Sequence, residues 1–362
     1  MIARCFVSAV LFFSFVCCRQ LTAQESSGEI GKKLDALEGY NASLEHRLDE
    51  LEKAIDDVLW FQKVGDVADI DKVYITGPPL AKEANLTAMG AGNPVKFWTY
   101  VFLPKIRKPD WKLPLLVLPH GGVHANFTTY HTHIIRELMA QGYAVAAPEY
   151  RGSTGYGKGF YEKIDYGGLE TEDAHAAVNY MLDTYSYLDA KRVGAVGWSH
   201  GGLIVLHLVF AHPSDYAACF AGVPVSDLVA RMGYSNEEYR ALFSAPYHIG
   251  KTAEEDVAEY KKRSPAWNAS KLKTPLLIHT NTNDEDVNAL EVEHLIQALK
   301  AEGKPFEYEV FQKLPGGHSF DRMDTRTAKE IRLKIYQFLA KHLAPPVPLK
   351  TLRELEKAGY PR

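Results

Sequence analysis

The chain has 362 residues, with 41 Lys and Arg against 45 Asp and Glu for a formal net charge of −4. That balance, with no basic stripe or Lys/Arg-rich block, excludes a surface built to neutralise nucleic-acid phosphates, so no nucleic-acid partner is expected. Three of the four cysteines, Cys5, Cys17 and Cys18, lie near the start; a chain trimmed after Ala23 would keep Cys219 alone, which excludes an intrachain disulfide.

Residues 1–23 read as a secretory signal. Arg4 precedes an apolar stretch from Cys5 to Cys18, and the small Ala23 stands before Gln24. The stretch is shorter than the ~20 residues a helix needs to span a bilayer, so no membrane span is expected. An exported protein is the expectation; a lipid anchor on Cys17 or Cys18 is the alternative, with Phe15 and Val16 standing where small residues would be needed.

Residues 24–64 form a helical arm. Leu34, Asn41, Leu48 and Ile55 fall at heptad position a, and Ile30, Leu37, Leu44, Leu51 and Val58 at d. In a parallel pair Lys33 would face the partner's Glu38, and Arg47 the partner's Glu52. Two occupants suit such a stripe: a second copy, giving a homodimer through residues 30–58, or the protein's own domain. Residues 65–94 read as a linker, broken at Gly77-Pro78-Pro79.

From residue 95 to 345, strand-like runs alternate with helical patterns, and residues 346–362 read as a tail. Strands are expected at 97–103, 115–118, 143–147, 193–196, 217–223, 276–279 and 306–311, and helices at 129–141, 172–183, 203–212, 287–302 and 325–342. This alternation predicts one α/β domain, a mostly parallel central sheet with helices on both faces.

Gly197-Trp198-Ser199-His200-Gly201 sits at a strand-to-helix turn, the place of a nucleophile elbow. Serine needs a base, and the base an orienting carboxylate. His318, in Pro315-Gly316-Gly317-His318, supplies the base; Asp284 and Asp286, past the strand at 276–279, compete as the acid. An oxyanion hole would use the His200 backbone N–H and the glycine-rich loop His120-Gly121-Gly122. His120, His124, His131 and His133 lack a carboxylate at ligand spacing, so no metal or other cofactor is expected.

Four segments, "LPHGG" (118–122), "PEYRGSTGYGKGF" (148–160), "GWSHGGL" (197–203) and "PGGHSF" (315–320), resemble the catalytic domain of the prolyl oligopeptidase family of serine peptidases (S9) in the α/β-hydrolase superfamily. The resemblance implies a triad of Ser199, Asp284 and His318. It selects Asp284 because the family acid stands three residues before a valine, here Val287. It also implies an oxyanion donor at the position of His120, either that side chain or the backbone beside it. Family members carry a β-propeller ahead of this domain, and the residues before 95 are too few and too helical for one. Leu228, Arg231, Met232 and Tyr234 stand where pocket walls are expected, within a helical stretch from Asp227 to Arg263 that would cover the site. The expected function is hydrolysis of a peptide through an acyl-enzyme. A carboxylesterase acting on small carbohydrate or aromatic esters is the alternative, and a non-catalytic assembly protein is a third reading.

Overall fold

The computed structural model describes residues 3–83 and 85–360, with side chains from residue 29 onward. The leader-like stretch 1–23, with Cys5, Cys17 and Cys18, lies outside the residues whose side chains are described. Among the described residues, no helix is long and apolar enough to cross a membrane.

One eight-stranded sheet organises the chain. Its strands are β1 (Ala68–Thr76), β2 (Lys96–Pro104), β3 (Leu113–Val117), β4 (Ala144–Pro148), β5 (Leu188–Trp198), β6 (Ala218–Gly222), β7 (Leu276–Asn281) and β8 (Phe306–Phe311), in spatial order β1-β2-β4-β3-β5-β6-β7-β8. β1 and β2 run antiparallel to their neighbours; β4, β3, β5, β6, β7 and β8 pair in parallel. The central strands β3, β4, β6 and β7 are buried along their whole length, which is why they read as continuous apolar runs rather than alternations.

The helices are α1 (Ala3–Val64), α2 (Thr132–Gln141), α3 (Lys158–Tyr161), α4 (Leu169–Thr184), α5 (His200–Ala211), α6 (Leu228–Tyr234), α7 (Glu237–Ser244), α8 (Val257–Lys262), α9 (Ala289–Ala301), α10 (Arg326–Leu343) and α11 (Leu352–Gly359). Side chains of α4, α5 and α9 fill the core on one face of the sheet. Those of α1, α2, α10 and α11 fill the other. Every parallel pair is joined through a helical crossover, as the alternation in the sequence requires.

Two segments differ from the sequence reading. The stretch read as a linker contains β1, which pairs with β2 along nine residues. As an edge strand it exposes one face, so its alternation of polar and apolar residues in ADIDKVYIT looks like loop composition. The tail contains α11, closed by a capping box between Thr351 and Glu354 and seated on α2 through the buried Leu355.

The second half of α1 also belongs to the domain. Trp60 stacks on Phe127 with ring centroids 5.4 Å apart, and Asp56 accepts hydrogen bonds from Thr129 N and Oγ1. Lys53 enters the interior, donating to the Phe127 carbonyl and pairing with Glu149 at 2.8 Å; both charged side chains are closed to water. Glu149 in turn accepts from Phe127 N. Across the sheet, Arg151 pairs with Asp173 at 2.8 Å and donates to the carbonyls of Pro78 and Pro79, which fixes the break after β1. Buried charges such as these contribute little when paired and cost a great deal when orphaned.

Two outcomes follow for stability. Lys53→Met leaves Glu149 buried without its cation and should cost about 3–5 kcal/mol in urea unfolding, while adding Glu149→Gln to it should restore more than half of that loss. Burial pushes the Glu170 carboxyl up to about 8. Its folded pKa lies above the unfolded value, so its contribution is complete below the unfolded pKa and is lost as pH rises through about 8. Unfolding midpoints followed across that window should therefore fall more steeply for the wild type than for Glu170→Gln.

Candidate active site

Ser199 occupies the single-residue turn between β5 and α5. Its backbone sits at φ 58°, ψ −124°, a conformation that costs a non-glycine residue strain and that persists because neighbours fix it. The Ser199 N–H donates to the Gly222 carbonyl, and its own carbonyl accepts from Leu203 and Val225. The elbow is thus tied to β6, to α5 and to the loop after β6. The side chain opens into a cavity of ≈ 390 Å³ that His318, His120, Gly121, Gly122 and His200 also line.

His318 lies in the loop after β8. Its Nδ1 faces both carboxylate oxygens of Asp284, at 2.9 and 2.8 Å. The Asp284 side chain is closed to water, and its Oδ1 also accepts from Asp286 N and Val287 N at 2.8 Å each. A carboxylate held this way keeps the proton on Nδ1 and leaves Nε2 as the ring's acceptor, facing the cavity. Asp286, the competing acid, is 68 % exposed in its side chain and lies 4.0 Å from Nε2. Burial and bidentate geometry both single out Asp284. The loop is fixed further by Glu285, which accepts from His318 N at 3.1 Å, and by Arg322, which donates to the His318 carbonyl. A side chain at Gly317 would collide with the Glu285 carboxylate, and the positive φ there adds to the requirement for glycine.

The loop after β3 closes the other side. A Cβ on Gly121 would lie 3.3 Å from Ser199 Cβ and 3.1 Å from the Trp198 carbonyl, so glycine lets backbone reach the nucleophile position. The question of which atom near residue 120 could donate to an oxyanion has a geometric answer. The His120 ring is engaged on both nitrogens: Nδ1 with Gly121 O and Tyr150 OH, and Nε2 with Ser153 Oγ at 2.9 Å. Burial pushes its pKa down, which keeps the ring neutral. Among the described residues, the backbone N–H groups of the glycine pair and of His200, the first residue of α5, donate to no protein acceptor, and all three residues line the cavity.

Behind that loop stands the segment 149–153. Glu149 lies 3.5 Å from His120 Nε2, and Tyr150 donates to the His120 carbonyl at 2.9 Å and stacks on its ring. Ser153, which donates to the Tyr150 carbonyl, completes the brace. The sequence marks this stretch as part of a signature without saying what it does; the structure makes it the mould of the 120–122 loop. No local pattern in the sequence points to Lys53, because its partner is nearly a hundred residues away.

Of the four side chains expected as pocket walls, Arg231 lines the cavity. Leu228 and Met232, one helical turn apart, point into the core. Tyr234 stays out of the cavity lining and turns its hydroxyl to the buried Glu291, donating at 2.6 Å. The expectation for these three is corrected: α6 gives its apolar stripe to the core and its polar side to the site. Tyr239, Tyr166, Val225 and the His200 ring form the wall beside Arg231, which is held by Tyr239 and Tyr234 hydroxyls. Both His200 ring nitrogens and the Tyr166 hydroxyl are buried without a hydrogen-bond partner. The histidines weighed as metal ligands go separate ways: His124 to Gly152 O, and His131 to Thr128 O.

Comparison with known proteins places the fold in a family. The model of the prolyl oligopeptidase family matches residues 129–345. The human acylamino-acid-releasing enzyme is 30% identical over 264 residues, covering 71% of this chain and 35% of that enzyme. Dipeptidyl aminopeptidase BIII of Pseudoxanthomonas mexicana is 28% identical over 225 residues, covering 61% of this chain and 32% of its own length. The chain thus spans about a third of the length of the curated relatives it matches. Among solved structures, Pyrococcus horikoshii acylaminoacyl peptidase superposes with a TM-score of 0.63 at 18% identity, over 83% of this chain and 45% of that one. With a family match over more than half its length, and a sheet and helices in the same arrangement, the chain belongs to the prolyl oligopeptidase family of serine peptidases and has an α/β-hydrolase fold.

Proposed function

We propose that the protein is an exported serine hydrolase that cleaves peptide bonds through an acyl-enzyme, with short N-acylated peptides as its first substrate class. One observation carries the reading: the closed Asp284–His318 pair opens on the same cavity as Ser199, which is held on a strained elbow. The names of the relatives support acylated amino ends, and the leader-like residues 1–23 support export.

The chemistry follows from those positions. His318 Nε2 takes the Ser199 proton as Oγ attacks the scissile carbonyl carbon, and the imidazolium formed is stabilised by Asp284. The carbonyl oxygen takes up the displaced electron pair and is received by the N–H groups of His200 and of the Gly121-Gly122 loop. Collapse breaks the C–N bond, and His318 returns the proton to the leaving amine. Water then repeats the cycle on the acyl-enzyme, releasing the acid and restoring Ser199.

Matched acyl groups presented as peptide anilides and as esters test this reading. The wild type should cleave the anilides, and N-acetylated ones faster than those with a free amino end. Ser199→Ala should lower kcat by on the order of 10⁵-fold or more, and Asp284→Asn by about 10⁴-fold. Gly121→Ala, which pushes a methyl against Ser199, should cost about 10²–10³-fold in kcat with little change in KM. Ser199-dependent turnover of esters without any of anilides would replace the peptidase reading with the carboxylesterase.

A further inference from the structure

The heptad stripe of α1 is not what docks the helix on its domain. The residues in contact are His46, Asp49, Lys53, Asp56, Asp57 and Trp60, which fall at heptad positions b, c and f. The a and d positions face the other way: Leu34, Leu37, Leu48, Leu51, Ile55 and Val58 are each more than half exposed, Val58 at 69%. In a solitary helix this is inverted, since the apolar stripe should be the side that packs. Ahead of the docked half, residues 32–43 are exposed on every side. A helix segment of that length without a tertiary partner is marginal in water.

We propose that this stripe is the seam of a parallel, in-register coiled coil with a second copy of the chain. From Ile30 to Val58 it runs four heptads, about 42 Å at the rise of an α-helix. The charges choose the direction. All three e positions from 38 to 52 are glutamates, Glu38, Glu45 and Glu52, and the g positions include Lys33 and Arg47. A parallel pair sets each g against the partner's e of the next heptad, so Lys33 meets the partner's Glu38 and Arg47 the partner's Glu52. An antiparallel pair would set e against e, stacking glutamate on glutamate. Asn41 gives the same answer by another route. In parallel register an a residue meets its own copy, so the two amides can hydrogen-bond inside the seam; in an antiparallel pair Asn41 would meet a leucine at d.

The docked b, c and f positions lie opposite the seam, so the two catalytic domains flank the coil without competing for it. Each seam residue is free of the cavity that holds Ser199. Self-association therefore leaves the catalytic geometry intact, and places two sites at the same end of one rod.

Sedimentation equilibrium of the full chain at low micromolar concentration tests this. The wild type should sediment as a dimer and Leu37→Glu/Leu48→Glu as a monomer. Both carry the same residues 1–28, so association through that segment would be common to the two. The double variant changes exposed side chains only, and its fluorophosphonate labelling should match the wild type. Asn41→Cys should form an interchain disulfide under mild oxidation above the wild-type background, which reports the parallel register. A monomeric wild type, or a dimer indifferent to the two glutamates, would overturn the proposal. So would a monomer that binds phosphatidylcholine–phosphatidylglycerol vesicles through these same leucines, because the stripe would then be a membrane face.

Discussion

Glu149 is a carboxylate with no route to water, and much of the structure is arranged around that fact. A charge in such a place must be paired, and its cation comes from far away in the sequence, Lys53 on α1. The same carboxylate accepts from the backbone of Phe127 and lies against His120, so one buried pair joins three things: the first helix, the loop after β3 and the brace at 149–153. The consequence is that α1 is a structural member of the candidate active site. A helix that looks like an appendage in the sequence sets the position of the loop that faces Ser199.

This gives α1 two jobs on two faces. One face contributes Lys53, Asp56 and Trp60 to the domain, and these are polar or amphipathic residues that a search for apolar periodicity passes over. The other presents the leucines. A helix that had to bury its leucines on the domain could not also bring Lys53 to Glu149, because the two sets lie on opposite sides of the same cylinder. The division of labour also explains how a strongly apolar stripe and a buried ion pair coexist within thirty residues.

Much of the candidate site is legible in the sequence. The strand-to-helix turn at Ser199 and the double glycine before His318 are local patterns with a mechanical meaning, and the central strands announce themselves as continuous apolar runs. What was not legible is non-local or two-sided. The residues alone left Asp284 and Asp286 level; burial and two backbone donors separate them. β1 reads as linker because an edge strand carries half of its residues in water. Leu228 and Met232 read as pocket walls in the sequence because a helix over a site has two sides, and sequence spacing fixes which residues share a side without fixing which side faces the cavity.

The central claim is that Ser199 is an activated nucleophile, and active-site labelling tests it most directly. The protein should react with a fluorophosphonate to one equivalent per chain, with the phosphonyl group found on the peptide containing Ser199. Asp284→Asn should slow the labelling strongly, because the imidazole then loses the carboxylate that holds it. An unlabelled chain that is folded, or a label placed on another serine, would contradict the account.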